Sequence, residues 1–181
     1  RSGGRGYVAL DILHRENLER VLERHRLREY FDEEEVRRFA RCWERLDPWP
    51  DVVSGLMAAR EAGLLVAPCS NGSVALMAHL ARYAGFHWDA IVGAGLARDY
   101  KPKPAVYAAS CEAMGCAPGE VMMVAAHNDD LAAARAAGLM TGFFARPLEH
   151  GPGQRTDLAA ESDWDVVAED LPGLVAALRQ L

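Results

Sequence analysis

The chain has 181 residues, half of them hydrophobic, enough for one globular domain with a real core and a small appendage. A net charge of -6, with no basic stripe, argues against a nucleic-acid partner, and no apolar run reaches the ~18 residues of a membrane span. The start RSGGRG has neither the apolar stretch nor the cleavage pattern of a secretion signal, so the cytoplasm is the expected compartment.

From Leu10 to His25, LDILHRENLERVLERH sets Leu10, Leu13, Leu18, Val21 and Leu22 near helical spacing with charges between them, which predicts an amphipathic helix. Asp32 is a good N-cap for a second helix through Phe39 to Trp43, and Glu33, Glu34 and Glu35 favour the positive end of its dipole. The arginines between positions 15 and 41 alternate with glutamates, the pattern of a solvated face. DPWPD breaks the chain, because Pro48 and Pro50 force their predecessors out of helical geometry. That break divides a helical part, residues 1–48, from an α/β part, residues 49–181.

Beyond it the spacing predicts helix 51–62 ended by Gly63, strand 64–69, helix 73–84, a short strand 90–92 and helix 104–114. Strand 121–125, helix 129–137, Gly138, strand 139–144, strand 165–167 and helix 171–179 complete the series. Continuously apolar strands separated by helices indicate a doubly wound parallel sheet covered on both faces. The stretch from Arg146 to Asp163, with GPG at its middle, reads as a surface loop or crossover. Cys42, Cys69, Cys111 and Cys116 lack paired zinc-site spacing, and reduced thiols are expected.

In such sheets ligands bind beyond the carboxyl ends of the strands. Three polar clusters fall there. In LLVAPCSNG the strand ends in Ser70, Asn71 and Gly72, whose hydroxyl, carboxamide and following helix amides suit a carboxylate or phosphate; SNG is equally an ordinary helix-capping turn. In RDYKPKPAVY, Pro102 restrains Lys101 near the same edge, and Tyr107 stands on the first turn of the next helix, from which its hydroxyl can reach back to the crevice. The plainer readings are a solvated lysine and a half-buried tyrosine. In VMMVAAHNDD, His127, Asn128, Asp129 and Asp130 follow a strand directly, although a first-turn carboxylate and a capping histidine would look the same.

The order SNG, YKPKP, then an apolar strand leading to Asp130 resembles the haloacid dehalogenase superfamily over residues 64–145. DPWPDV, PCSNG, YKPKPAVY, VMMVAAH and WDVVAEDL are most similar to its L-2-haloacid dehalogenases, the type II enzymes, and the early helices resemble part of their helical cap. The resemblance implies a Rossmann-like core and hydrolysis of a 2-haloacid to a 2-hydroxyacid through an aspartyl ester. Ser70 would then bind the substrate carboxylate, Asn71 would face the halide, and Lys101 would orient the nucleophilic carboxylate. Tyr107 would support substrate and lysine, and Asp130 would position the hydrolytic water; His127 joins the substrate-binding set. No metal and no cofactor are expected. Ala126 stands four residues before Asp130, where superfamily phosphatases carry a metal-binding acid, and a hard six-coordinate cation with only Asp130 from this strand would be poorly held. A homodimer is compatible with the resemblance.

The family's nucleophile lies in a DxFGT-like segment that this sequence does not contain; the nearest early acid, Asp11, sits in a helix, and neither Arg1 nor Arg5 can be assigned as the halide-binding arginine. Reference members carry Ser, Asn and Trp where this chain has Ala125, His127 and Asp129. In the superfamily the strand bearing the nucleophile lies between those predicted at 64–69 and 121–125, so the sheet is expected to be broken there and the chain incomplete at its amino end. Two other functions fit the same residues: a Mg-dependent phosphatase of this fold, and a non-catalytic relative that binds a carboxylate.

Overall fold

The structure, a computed structural model, describes residues 6–178. Arg1 and Arg5 lie outside them. Helix α1 (Leu10–Arg24) packs against α2 (Glu33–Ala40), with Leu22 and Val36 buried. The Asp32 carboxylate accepts from Glu35 N at 2.8 Å, and Asp32 N donates back to the Glu35 carboxylate at 2.9 Å, a complete capping box. α2 stops at Ala40 rather than Trp43; residues Cys42–Arg45 tighten into a 3-10 turn spanned by the Arg41–Glu44 ion pair at 2.8 Å. Trp43 on that turn stacks on His14 of α1 with ring centroids 5.0 Å apart. The glutamates and arginines of this region pair on the surface, as Arg15–Glu19 and Arg28–Glu33 do at 2.7 and 3.1 Å.

After the proline break, α3 (Val52–Glu61) starts the α/β part, and Gly63 ends it at φ +81°. Strand β1 is only Cys69–Ser70, pairing in parallel with β2 (Val92–Gly93). The predicted strand over 64–69 is therefore largely absent. An apolar run becomes a strand only where its backbone groups find a ladder partner. Here Val66 N and O bond instead to the Asp89 carboxylate and Asp89 N, at 2.9 and 2.8 Å, and Leu65 stays 63% exposed. The second strand likewise sits at 92–93 rather than 90–92.

α4 (Val74–Ala84) follows β1 and is capped by Ser73, whose hydroxyl accepts from Leu76 N at 3.0 Å. A short α5 (Ala94–Ala97), not evident in the sequence, precedes α6 (Pro104–Met114). β3 (Met122–Ala125), α7 (Asn128–Ala136), β4 (Met140–Phe144), β5 (Val166–Ala168) and α8 (Leu171–Leu178) complete the described chain. β3, β4 and β5 form a second parallel sheet in that order, with Ala125 opposite Phe143 and Phe143 opposite Val167.

Among the described residues β1 makes no ladder with β3, and the division falls where the sequence predicts the break. α6 packs on both β2 and α7, so it spans the two sheets. Its buried Tyr107 and Cys111 join Ala134 and Leu139 in one core cluster, while Leu131, Phe143 and Trp164 form another. α3 covers the outer side of α8, and the approach is close: a Cβ on Gly55 would lie 2.5 Å from Leu171 Cγ. All four cysteines are free thiols. No helix among the described residues is long and apolar enough to cross a membrane.

Candidate active site

Lys101 links the two sheets. Its backbone N–H donates to Asn71 Oδ1 at 2.8 Å, just beyond β1, and its ammonium donates to Asp130 Oδ2 at 2.6 Å, in the first turn of α7 beyond β3. Tyr107 donates its phenol hydrogen to the other oxygen, Asp130 Oδ1, at 2.6 Å. Both carboxylate oxygens of Asp130 are thus engaged, and Lys101 keeps two ammonium hydrogens for another acceptor.

The plainer readings of Lys101 and Tyr107 fail, while Asp130 does lie in the first helical turn, as its plainer reading has it, and is paired there as well. The Lys101 and Asp130 side chains are each only 16% exposed, so this is no solvated surface pair. Tyr107 is fully buried rather than half-buried. Burial, and after it the bond to Asp130, raise the Tyr107 phenol well above the usual tyrosine range, so it remains a hydrogen-bond donor at any physiological pH. The turn after β1 is not the helix cap either, because Ser73 caps α4. Ser70 Oγ accepts from Gly72 N at 3.0 Å, leaving its own hydrogen free to donate. Asn71 is tied to the Lys101 loop on both sides, since Nδ2 also donates, at 3.5 Å, to Lys101 O.

Local sequence explains the placement. Pro104 opens α6, its missing N–H costing nothing at a helix start, and this sets Tyr107 at the end of the first turn. Gly93 brings β2 against the site: at φ +111° a Cβ there would sit 2.3 Å from Ser70 O, a position only glycine fills.

His127 occupies the N-cap position of α7 without capping it. Its Nε2 lies 2.9 Å from Glu149 Oε2, and no hydrogen bond among the described residues joins it to the Lys101 cluster. Asp129 is exposed.

Two anchoring groups went unrecognised in the sequence. Asn128 is 5% exposed; its amide donates to Asp157 Oδ1 at 3.0 Å and Ala159 O at 3.1 Å, and it accepts from Glu161 N and Trp164 Nε1, both at 2.9 Å. It pins the long crossover between β4 and β5. Arg146, two residues past β4, lies over the rings of Phe144 and Trp49 at 4.4 and 5.2 Å and pairs with Asp51 at 2.8 Å. Burial opposes ionisation of Asp51, but Arg146 and the Leu171 N–H outweigh it and hold its carboxyl below the usual range. The second proline of DPWPD, directly before Asp51, was the available signal.

A haloacid dehalogenase-like hydrolase family model matches residues 2–138. A solved defluorinating L-2-haloacid dehalogenase superposes with TM-score 0.94 at 47% identity, covering 98% of this chain and 73% of its own. The L-2-haloacid dehalogenase from Xanthobacter autotrophicus with chloropropionic acid covalently bound gives TM-score 0.79 at 26% identity, over 97% and 78%. The curated (S)-2-haloacid dehalogenase of Xanthobacter autotrophicus is 32% identical over 117 residues, 64% of this chain and 46% of that protein. The chain spans about half the length of the curated relatives it matches. With a family match over most of its length and a parallel α/β fold shared with solved dehalogenases, the chain belongs to the haloacid dehalogenase-like hydrolases.

Proposed function

We propose that the protein hydrolyses small 2-haloacids to 2-hydroxyacids through an aspartyl-ester intermediate, with no metal. The observation that carries this reading is the partly buried Lys101 ammonium at the junction of the two sheets, held by Asp130, whose other carboxylate oxygen accepts from Tyr107. An ammonium fixed in that way, with hydrogens to spare, suits a second carboxylate in the same crevice. Asp130 is too heavily engaged to be that group's attacking oxygen. In this reading the nucleophile is an aspartate on a strand seated between β1 and β3, whose facing edges lack partners among the described residues.

In the first step that carboxylate attacks C2 of the substrate from the side opposite the halogen. A C–O bond forms, the carbon–halogen bond breaks, and halide leaves with inversion. In the second, water adds to the ester carbonyl, the acyl C–O bond breaks, and the 2-hydroxyacid departs as the aspartate is restored and a proton is released. Ser70, with its free hydroxyl hydrogen, takes the substrate carboxylate, and Asn71 borders the halide. Lys101 orients the nucleophile, Tyr107 holds the Asp130–Lys101 pair, and Asp130 directs the water.

Support comes also from the named activity of the relatives, a 2-haloacid dehalogenase in Xanthobacter autotrophicus. Metal independence rests on Ala126, which offers no ligand and leaves Asp130, already paired with the Lys101 ammonium, as the one carboxylate this strand end would give a hard cation at these two positions. Halide release from L-2-chloropropionate should therefore proceed undiminished in excess EDTA, followed with a chloride electrode. Turnover of p-nitrophenyl phosphate that requires Mg²⁺, without halide release, would point to the phosphatase instead.

A further inference from the structure

His127, Glu149 and His150 lie outside the Lys101 cluster, and the proposed reaction makes no use of them. Their ligand atoms, two imidazole nitrogens and one carboxylate oxygen, all fall within 4.8 Å of one another. We propose that they form a site for one divalent transition-metal ion, Zn²⁺ being the representative, which clamps the crossover loop to the end of β3.

The ligand set determines the class of ion. Two imidazoles with a single carboxylate suit Zn²⁺, Co²⁺ or Ni²⁺, whereas Mg²⁺ and Ca²⁺ demand oxygen-rich shells. At metal–ligand lengths of about 2.0–2.2 Å, two donors on one tetrahedral ion stand roughly 3.4 Å apart. His127 Nε2 and Glu149 Oε2, at 2.9 Å, need only part slightly to admit the ion between them. His150 has farther to come, and as an exposed side chain it is free to rotate inward.

The three residues come from two places in the chain, the end of β3 and a loop 22 residues later. The loop is held in shape without the metal. Gly151 N donates to Leu148 O at 3.0 Å, and His150 N donates to the Gln154 side chain at 3.1 Å. An ion at this position would add to the single exposed His127–Glu149 hydrogen bond and fasten the early part of the crossover, whose later part Asn128 already ties through Asp157 and Ala159. A fourth coordination position stays open to water.

The test is calorimetric titration of the intact protein with Zn²⁺, together with the visible spectrum of the Co²⁺ form. One Zn²⁺ should bind per chain, and His127→Ala, Glu149→Gln and His150→Ala should each weaken binding about tenfold or more, the scale on which even outer-shell changes act. His79→Ala, an exposed histidine on α4, should leave binding unchanged. The Co²⁺ spectrum should lack thiolate charge-transfer bands, which excludes the exposed Cys42 as a ligand. Zn²⁺ should also slow tryptic cleavage after the exposed Arg155 in the wild type and not in the three variants. Failure to bind Zn²⁺, binding that survives all three substitutions, or a thiolate spectrum would overturn the site. None of these readouts depends on turnover, so they stand or fall apart from the dehalogenase reading.

Discussion

Lys101→Ala should lower the rate of halide release by about a hundred- to a thousandfold, the range found when one preorganised electrostatic partner is removed from an active site. The ammonium donates to Asp130 while the Lys101 backbone N–H donates to Asn71, so the residue bridges the two sheets. In the proposed reaction, removing the ammonium would take a fixed positive charge away from the attacking carboxylate and release the restraint on its direction of approach. Because the crevice is partly dry, water restores neither contribution in full. Stability should change by no more than about 1–2 kcal/mol, since Asp130 retains its bond from Tyr107 and some solvent access. Lys103 is the control. It is two residues on in the same loop, 66% exposed, and paired at 2.7 Å with Asp99. An exposed pair contributes under about 1 kcal/mol, so Lys103→Ala should leave turnover near wild type. Steady-state kinetics on the two variants decide the matter; equal losses, or none, would mean that this loop has been assigned the wrong chemistry.

The second large effect is on stability. Asn128→Ala should destabilise the protein by about 2–4 kcal/mol, read by urea denaturation. The substitution leaves Trp164 Nε1, Glu161 N and Ala159 O without the partner they now share, and Trp164 is 8% exposed. Part of the loss is recoverable, because Asp157 keeps the bond from the Asn128 backbone N–H at 2.8 Å and the loop can relax toward water. Trp164 is also covered by the Arg135 guanidinium at 4.5 Å, which pairs with Asp163 at 2.9 Å, so the damage should spread along the crossover and appear as faster proteolysis of residues 146–163. A change below about 0.5 kcal/mol would show that Asn128 is not the anchor of this segment.

What the sequence revealed, and what it concealed, follows from the range of the forces involved. α1, α2, α4 and α6 were legible because their signals are local: leucines at helical spacing, Asp32 and its following glutamates, Pro104 at a first turn. The cluster of Lys101, Tyr107 and Asp130 was legible in part: Lys101 with Tyr107, and Asp130, belong to two of the three polar clusters that follow predicted strands, and parallel strands carry such ends to one edge. Strand 64–69 was misread because hydrophobicity marks only a readiness to pair, and Asp89, far along the chain, takes up the Val66 backbone. Asn128 was seen only as part of a polar run, because its role depends on residues 29 to 36 positions away. His127 was grouped with the active site by adjacency. Its side chain turns instead to Glu149, a partner that no periodicity could indicate.

In the proposed reaction a carboxylate of the protein, rather than water, displaces the halide. A single turnover of L-2-chloropropionate in heavy-oxygen water, with the enzyme in excess over substrate and the product analysed by mass spectrometry, separates the two. The ester mechanism predicts 2-hydroxypropionate whose hydroxyl oxygen comes from the enzyme, so the first product carries no label and the label appears only in later turnovers. Label in the hydroxyl of the first-turnover product would mean that water attacks C2 itself, and would rule out the ester intermediate.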